Sequence, residues 1–275
     1  MLEDPRVRTF DQTDSPHIVG ILNLTPDSFS DGGAYKNSRT AVDAAQRMID
    51  EGATIIDVGG ESTRPGATPV GSAEEQRRIL PVIGRLVERG LSVSVDTIHA
   101  DTAEAALKEG AHIINDVSGG LIDPGMAAVV ADSDATFVVS HWGGGANAAP
   151  VEGDAVAAVT EQLRIRLAHL ESFGLGPARV IVDPGIGFGK SAEQNWQLIA
   201  GLPELSQLGH RIMLGHSRKR FMSTVLHEED SLAKRDLLTG IISAYAAQRG
   251  IWGVRVHNVQ STLLAFRALE QLAPG

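Results

Sequence analysis

The sequence predicts an α/β protein, a (β/α)8 TIM barrel with long loops at the C-terminal face of its strands. Three observations predict it. Eight short, mostly apolar runs recur along the chain, bounded by turn residues, as buried strands are. A stretch with apolar residues at helical spacing follows each run, and strand–helix alternation implies a parallel sheet. The 275 residues carry no composition break that would mark a linker, which suits a closed barrel of ~250 residues. The expected organisation is therefore one domain over 1–275, with the barrel at about 17–272 and an N-terminal extension over 1–16. The alternative is an open, doubly wound sheet; without sequence self-similarity a repeat solenoid is excluded.

The first run, IVGILN at 18–23, ends on an amide and opens into a polar loop with Pro26, Asp27, Ser28, Ser30, Asp31 and paired Gly32 and Gly33. Ser38 can cap the next helix, Val42, Ala45, Met48 and Ile49 share a face, and Gly52 ends it. TIIDV at 54–58 is the second strand and leads into GGESTRPG. The helix over about 73–89 carries Ile79, Val82, Ile83, Leu86 and Val87, with Pro81 expected to bend it. LSVSVD at 91–96 ends on a carboxylate, and a helix over 103–107 closes at Gly110.

IINDV at 113–117 is the fourth strand, followed by a short helix over 126–131. TFVVS at 136–140 runs into His141 and a loop with three consecutive glycines. An amphipathic helix spans about 155–173, with Val156, Val159, Leu163, Leu167 and Leu170 on its apolar side. VIVD at 180–183 leads into PGIGFGK, after which Ser191 and Gln194 form a candidate capping box. RIMLG at 211–215 precedes HSRKR, and a helix follows over about 231–248. GVRVH at 253–257 and a helix over 262–272 complete the set.

Composition excludes several function classes. The formal net charge of −10 argues against a general nucleic-acid binder, so an anionic ligand needs a local basic cluster. The absence of cysteine removes disulfides, thiol nucleophiles and Cys-based metal sites, and is consistent with a reducing compartment. Residues 1–15 are polar and charged, and no apolar run approaches the ~20 residues of a membrane span. A cytoplasmic protein with small-molecule partners, no nucleic acid and no membrane is the expectation.

A barrel keeps its active site at the C-terminal ends of the strands, so polar residues on apolar strands should collect there. They do: Asn23, Asp57, Asp96, Asn115 with Asp116, His141, Asp183, Ser217 to Lys219, and Arg255 with His257. One terminal Asp or Asn is as well explained by a cap or an Asx turn. A whole ring of such residues is not. Asp96, Asn115 and Asp183 suit a flat heterocycle with a guanidine-like edge, because a carboxylate accepts two parallel N–H bonds. Arg64, Lys190, Lys219, Arg255 and His257 suit a phosphate or diphosphate.

Other signals fail. GFGKS resembles the end of a P-loop, but Pro184 stands where the first glycine must be. Lys190 likewise replaces the third glycine of a dinucleotide fingerprint. The nine histidines show no metal-ligand spacing. His99, His112, His169 and His210 read as structural residues, and Trp142, Trp196 and Trp252 as packing ones.

GILNLTPDSFSDGG at 20–33, DVGGESTRPG at 57–66, SVDT at 94–97, INDVS at 114–118, DPGIGFGK at 183–190, SRK at 217–219 and RVH at 255–257 together resemble the motifs of the dihydropteroate synthases. The resemblance runs from about residue 17 into the last helix. It implies transfer of 7,8-dihydropterin-6-ylmethyl from diphosphate to p-aminobenzoate, a step of folate biosynthesis, assisted by Mg2+. It implies that Asp96, Asn115, Asp183 and Lys219 hold the pterin. Asn23, Thr63, Arg64, Arg255 and His257 would hold the diphosphate, with Asn23 near or on the metal. Thr63, Arg64, Pro65, Phe188, Ser217 and Lys219 would frame the aminobenzoate. Asp96, Asp183, Lys219 and Arg255 would be catalytic, and the loops over 27–33 and 63–66 would close over the amine. Barrels of this kind commonly pair through outer helices, so a homodimer is expected.

The chain departs from the family pattern in three places, one of them GHSRKRF at 215–221, which has His and Arg at variable positions. SHWGGG at 140–145 lacks the usual arginine, which predicts a looser loop. Asn258 stands where Asp is usual, which predicts the loss of a charge near the diphosphate end. Competing readings are a pterin-binding barrel without the transfer activity, and a methyltransferase barrel that binds a reduced folate. The first would lack the ESTRPG or SRK elements, and the second would not need the basic cluster.

Overall fold

The computed structural model describes residues 10–13, 15–24, 38–61, 70–143, 151–227 and 230–272. Its strands are β1 (His17–Asn23), β2 (Ile55–Gly59), β3 (Val93–Asp96), β4 (Ile113–Asp116), β5 (Thr136–Ser140), β6 (Val180–Asp183), β7 (Arg211–Leu214) and β8 (Gly253–Val256). They close into a parallel barrel in chain order, with β8 pairing β1. The helices are α1 (Ser38–Asp50), α2 (Ser72–Glu88), α3 (Ala100–Lys108), α4 (Met126–Ala131), α5 (Ala155–Glu171), α6 (Ala192–Ala200), α7 (Leu202–Ser206), α8 (Leu232–Ala247) and α9 (Val259–Leu272).

The expected elements are present, with instructive differences at their ends. Ser191 and Gln194 form the capping box of α6, and the Asp154 carboxylate caps α5 by accepting from Val156 N and Ala157 N. The segment after β6 is two helices, with Gly201 between them. A 3-10 turn at Arg220–Thr224 follows β7, which apolar spacing did not foretell. α2 runs through Pro81, which sits on its exposed side and removes one backbone donor, the partner the Arg77 carbonyl would otherwise have.

Two apolar clusters define the interior. The larger joins one face of the strands (Leu22, Val58, Val95, Phe137, Val139, Leu214) to the helices. The smaller contains Val19, Ile55, Ile113, Val138, Ile181 and Met213, which fill the barrel itself, with Phe10 and Trp252. Trp252 is fully buried and donates Nε1–H to Phe10 O at 2.8 Å. The end of the barrel where the strands begin is thus closed by a residue of the N-terminal extension.

Strand side chains alternate between faces. Two residues beyond the inner apolar layer, the same inward face carries Asp57 after Ile55, Asn115 after Ile113, Ser140 after Val138 and Asp183 after Ile181. Register sets them side by side: Asn23 is level with Gly59, Gly59 with Asp96, Asp96 with Asn115, and Ser140 with Asp183. The apolar layer is a floor, and the polar layer above it faces the loops.

Candidate active site

The centre of this polar layer is a cation between two carboxylates. Arg255 donates Nε–H to Asp57 Oδ2 at 2.6 Å and Nη2–H to Asp96 Oδ2 at 2.7 Å. Asn115 Nδ2 adds a longer bond to Asp57 Oδ2, at 3.4 Å. The other oxygens, Asp57 Oδ1 and Asp96 Oδ1, are buried and have no protein partner. Such oxygens are costly unless something binds them. Burial pushes the Asp96 carboxyl up to about 7; nearby Arg255 pulls it down, while Asp57, Glu75 and Asp116 raise it. Burial alone would lower the Arg255 guanidinium, but Asp57 and Asp96 reverse this and raise it above its ordinary value. Arg255 is therefore a fixed positive charge.

Asp183 is oriented differently, by backbone. Its Oδ1 accepts from Gly185 N at 2.7 Å and its Oδ2 from Gly215 N at 2.9 Å. Both glycines are sterically required. A Cβ on Gly215 would stand 2.7 Å from Asp183 Oδ2, and one on Gly185, whose φ is +71°, would stand 1.8 Å from His141 O. The loop after β6 also carries Phe188, over whose ring the Lys219 ammonium lies 4.2 Å from the centroid. Lys219 Nζ also donates to Ile186 O. Burial lowers Lys219 to about 8, with Asp183 working against that shift and Arg255 adding to it. Ser217 Oγ accepts from His257 N at 3.2 Å and meets His257 Nδ1 at 3.0 Å.

Comparison with known proteins agrees with this geometry. The model of the pterin binding enzyme family matches residues 19–257. The chain is 44% identical to the dihydropteroate synthase of Mycobacterium leprae over 260 residues, 92% of each chain. The chain belongs to the dihydropteroate synthase family. The Xanthomonas albilineans dihydropteroate synthase, solved with 4-aminobenzoic acid, superposes with a TM-score of 0.88 at 41% identity, covering 98% of this chain and 97% of that one. The Burkholderia cenocepacia dihydropteroate synthase, complexed with 7,8-dihydropteroate, gives 0.84 at 34% identity, covering 94% and 91%.

Within this dihydropteroate synthase chain, Asn23, Asp96, Asn115, Asp183, Phe188, Ser217, Lys219, Arg255 and His257 all stand at the C-terminal ends of the strands or in the loops after them. Thr63, Arg64 and Pro65, with the loop over 27–33, lie outside the described residues, as does much of the loop after β5. Three expectations need correction. Asp116 faces away from the site: its two oxygens accept from Ser118 N and Gly120 N, each at 2.7 Å. Lys190 is used inside its own loop, donating to Gly185 O at 2.8 Å and Phe188 O at 3.0 Å and meeting His141 Nδ1 at 2.9 Å. Burial, with Lys219 nearby, lowers it to about 7. Asn258 points to Asp236 of α8, with Nδ2 at 3.1 Å from Oδ2, so its lost charge belongs to a helix contact.

Sequence reasoning placed Asp57 on the rim but gave it no role. The signal was available, because Asp57 is two residues past an inward isoleucine. Glu75 was missed altogether; it is buried on α2, where its Oε2 accepts from Thr97 Oγ1 at 2.7 Å. His99 was read as structural, and its Nε2 meets Glu61 Oε2 and Val70 O, each at 3.2 Å.

Proposed function

We propose that the chain is a transferase that condenses 7,8-dihydropterin-6-ylmethyl diphosphate with p-aminobenzoate, giving 7,8-dihydropteroate and diphosphate. One observation carries the proposal: a largely buried arginine held between two buried carboxylates, each with an unpartnered oxygen, in the polar layer of a barrel. A pterin offers N–H groups in one plane, and such oxygens accept them. Asp96, Asn115, Asp183 and Lys219 hold the pterin ring. Asn23, Arg255 and His257 hold the diphosphate, with Thr63 and Arg64. Phe188, Ser217 and Lys219 frame the aminobenzoate, with Thr63, Arg64 and Pro65.

The chemistry follows from the charges. As the C–O bond to diphosphate breaks, the pterin methylene becomes electron-poor. Carboxylates against the ring stabilise that developing positive charge, and Arg255 and His257 stabilise the departing anion. The aromatic amine attacks the same carbon and then loses a proton. No covalent enzyme intermediate is required.

Mg2+ belongs to the same proposal. Magnesium takes few protein ligands and completes its shell with water and substrate phosphate oxygens. Asn23 offers a hard amide oxygen, which a Cβ on the level Gly59 would approach to 3.6 Å. Among the described residues no group of three His, Cys, Asp or Glu could hold a metal alone; diphosphate oxygens and water would supply the ligands that Asn23 does not. When bound, Mg2+ neutralises charge on the leaving group.

A homodimer and a cytoplasmic location are also part of this reading. Leu237 and Ile241 of α8 and Leu264 of α9 are 63, 56 and 68% exposed, on helices that pack together, which supports pairing through them. Light scattering tests the dimer. Among the described residues no helix is long and apolar enough to cross a membrane. The function is tested by incubating the protein with both substrates and Mg2+ and following dihydropteroate and diphosphate together.

A further inference from the structure

Arg218 stands between Ser217 and Lys219, and among the described residues it is the one non-glycine residue with a left-handed backbone, at φ +58°. That conformation is disfavoured for a side chain with a Cβ, so something must hold it. The turn cannot be relaxed without moving its neighbours. Ser217 is bonded to His257, and Lys219 lies over Phe188.

What holds it lies outside the barrel. Arg218 Nε and Nη2 donate to the two oxygens of Asp236 on α8, at 2.6 and 2.9 Å. The Asp236 side chain is only 7% exposed, and planar fork-to-carboxylate pairing fixes the orientation of both groups. Asn258, just after β8, clamps the same carboxylate with Nδ2, while its Oδ1 accepts from Ser261 N at 2.9 Å in the first turn of α9. An aspartate at 258 would set a second carboxylate against Asp236; the amide donates instead. Nearby, His216 Nε2 meets Thr239 O at 3.1 Å and Ser243 Oγ at 3.2 Å, both on α8.

We propose that Asp236 is a positioning residue for the transfer reaction, acting through the Arg218 fork to keep residue 218 left-handed and so to place Ser217 and Lys219 in the site. The proposal rests on the synthase reading above. Asp236 touches no substrate; it sets the backbone that carries two residues which do.

The test is steady-state kinetics with p-aminobenzoate varied at saturating pterin diphosphate and Mg2+. Wild type, Asp236→Asn, Arg218→Gly and the double variant are compared. Asp236→Asn raises the aminobenzoate KM about tenfold or more, because small misplacements of binding groups are costly. Glycine takes a positive φ without support, so Arg218→Gly stays within about threefold of wild type. For the same reason the double variant returns to within about threefold of wild type. Recovery by a second substitution separates positioning from general loss of stability. An unchanged KM in Asp236→Asn overturns the proposal. So does an increase in Arg218→Gly as large as that in Asp236→Asn, since the guanidinium itself would then act at the site. If Asp236→Asn does not fold, the other two variants decide, a rise of about tenfold in either overturning the proposal. A wild type with no turnover overturns the synthase reading and the proposal together, whereas a working wild type with indifferent variants overturns the proposal alone.

Discussion

Arg255 and Asp57 hold one another across the inside of the barrel, Nε to Oδ2 at 2.6 Å, although 198 positions separate them in sequence. Asp57 also reaches Asn115, so one buried carboxylate orients two residues assigned to substrate. Asp57→Asn keeps the size but removes the charge that fixes the arginine. We predict a loss of on the order of 10- to 100-fold in kcat/KM for the pterin diphosphate, from misplacement of binding groups. Kinetics of the purified variant check this. An unchanged value would mean that Arg255 is held adequately by Asp96 alone.

The turn after β6 depends on a missing side chain. Gly185→Ala would place a Cβ 1.8 Å from the carbonyl oxygen of His141, at a φ of +71°. Either the turn moves and Asp183 loses its bond from Gly185 N, or β5 yields. A loss of at least ~3 kcal/mol in urea unfolding is predicted, from combined overpacking and backbone strain. Gly209→Ala also has a positive φ but no atom within 4 Å of the new Cβ, and should cost only ~1 kcal/mol.

The bottom of the barrel should govern stability and leave chemistry alone. Phe10 is 6% exposed and belongs to the cluster inside the barrel, at the end away from the polar layer. Phe10→Ala is predicted to lower unfolding free energy by ~3 kcal/mol, as large-to-small core changes do. The kcat of the folded fraction should stay at the wild-type level.

The Asp96 carboxyl gives a pH signature. Burial raises it from 3.8 to about 7 in the folded chain. Between those values the folded state keeps a proton that the unfolded chain has released, so stability falls as pH rises from about 4 to about 7. Asp96→Asn removes this component. Its thermal midpoint relative to wild type should therefore be more favourable at pH 7 than at pH 4. A difference that does not change with pH would contradict the raised value.

Much of this was legible in the sequence because local signals and the global fold agree. Most strands run into a polar residue or a glycine-bearing loop, and the longer helices carry an apolar stripe, so order and architecture follow. Which of two adjacent polar residues faces inward was not legible from residue type. Asn115 and Asp116 end the same strand, and only register against Ile113 sends Asn115 into the barrel. Lys190 misled for a related reason: a lysine after a glycine-rich turn looks like a phosphate ligand, yet here it closes the turn on its own carbonyls. Asp57 and Asp236 act through partners distant in sequence, Arg255 and Arg218, and no local pattern announces such pairs. Phe10 lay in a segment set aside as an extension, because a single aromatic there carries no periodicity.

The central claim is that this polar layer transfers a pterin methylene from diphosphate to an aromatic amine. The most direct measurement is one coupled assay of dihydropteroate and diphosphate, with both substrates and Mg2+, for wild type and Asp96→Ala. The account predicts equimolar products from wild type, no diphosphate without the amine beyond slow background, and in Asp96→Ala a pterin affinity weakened about tenfold or more, as loss of a buried carboxylate partner implies. Absence of dihydropteroate from wild type, or an Asp96→Ala variant that binds pterin as wild type does, would contradict it.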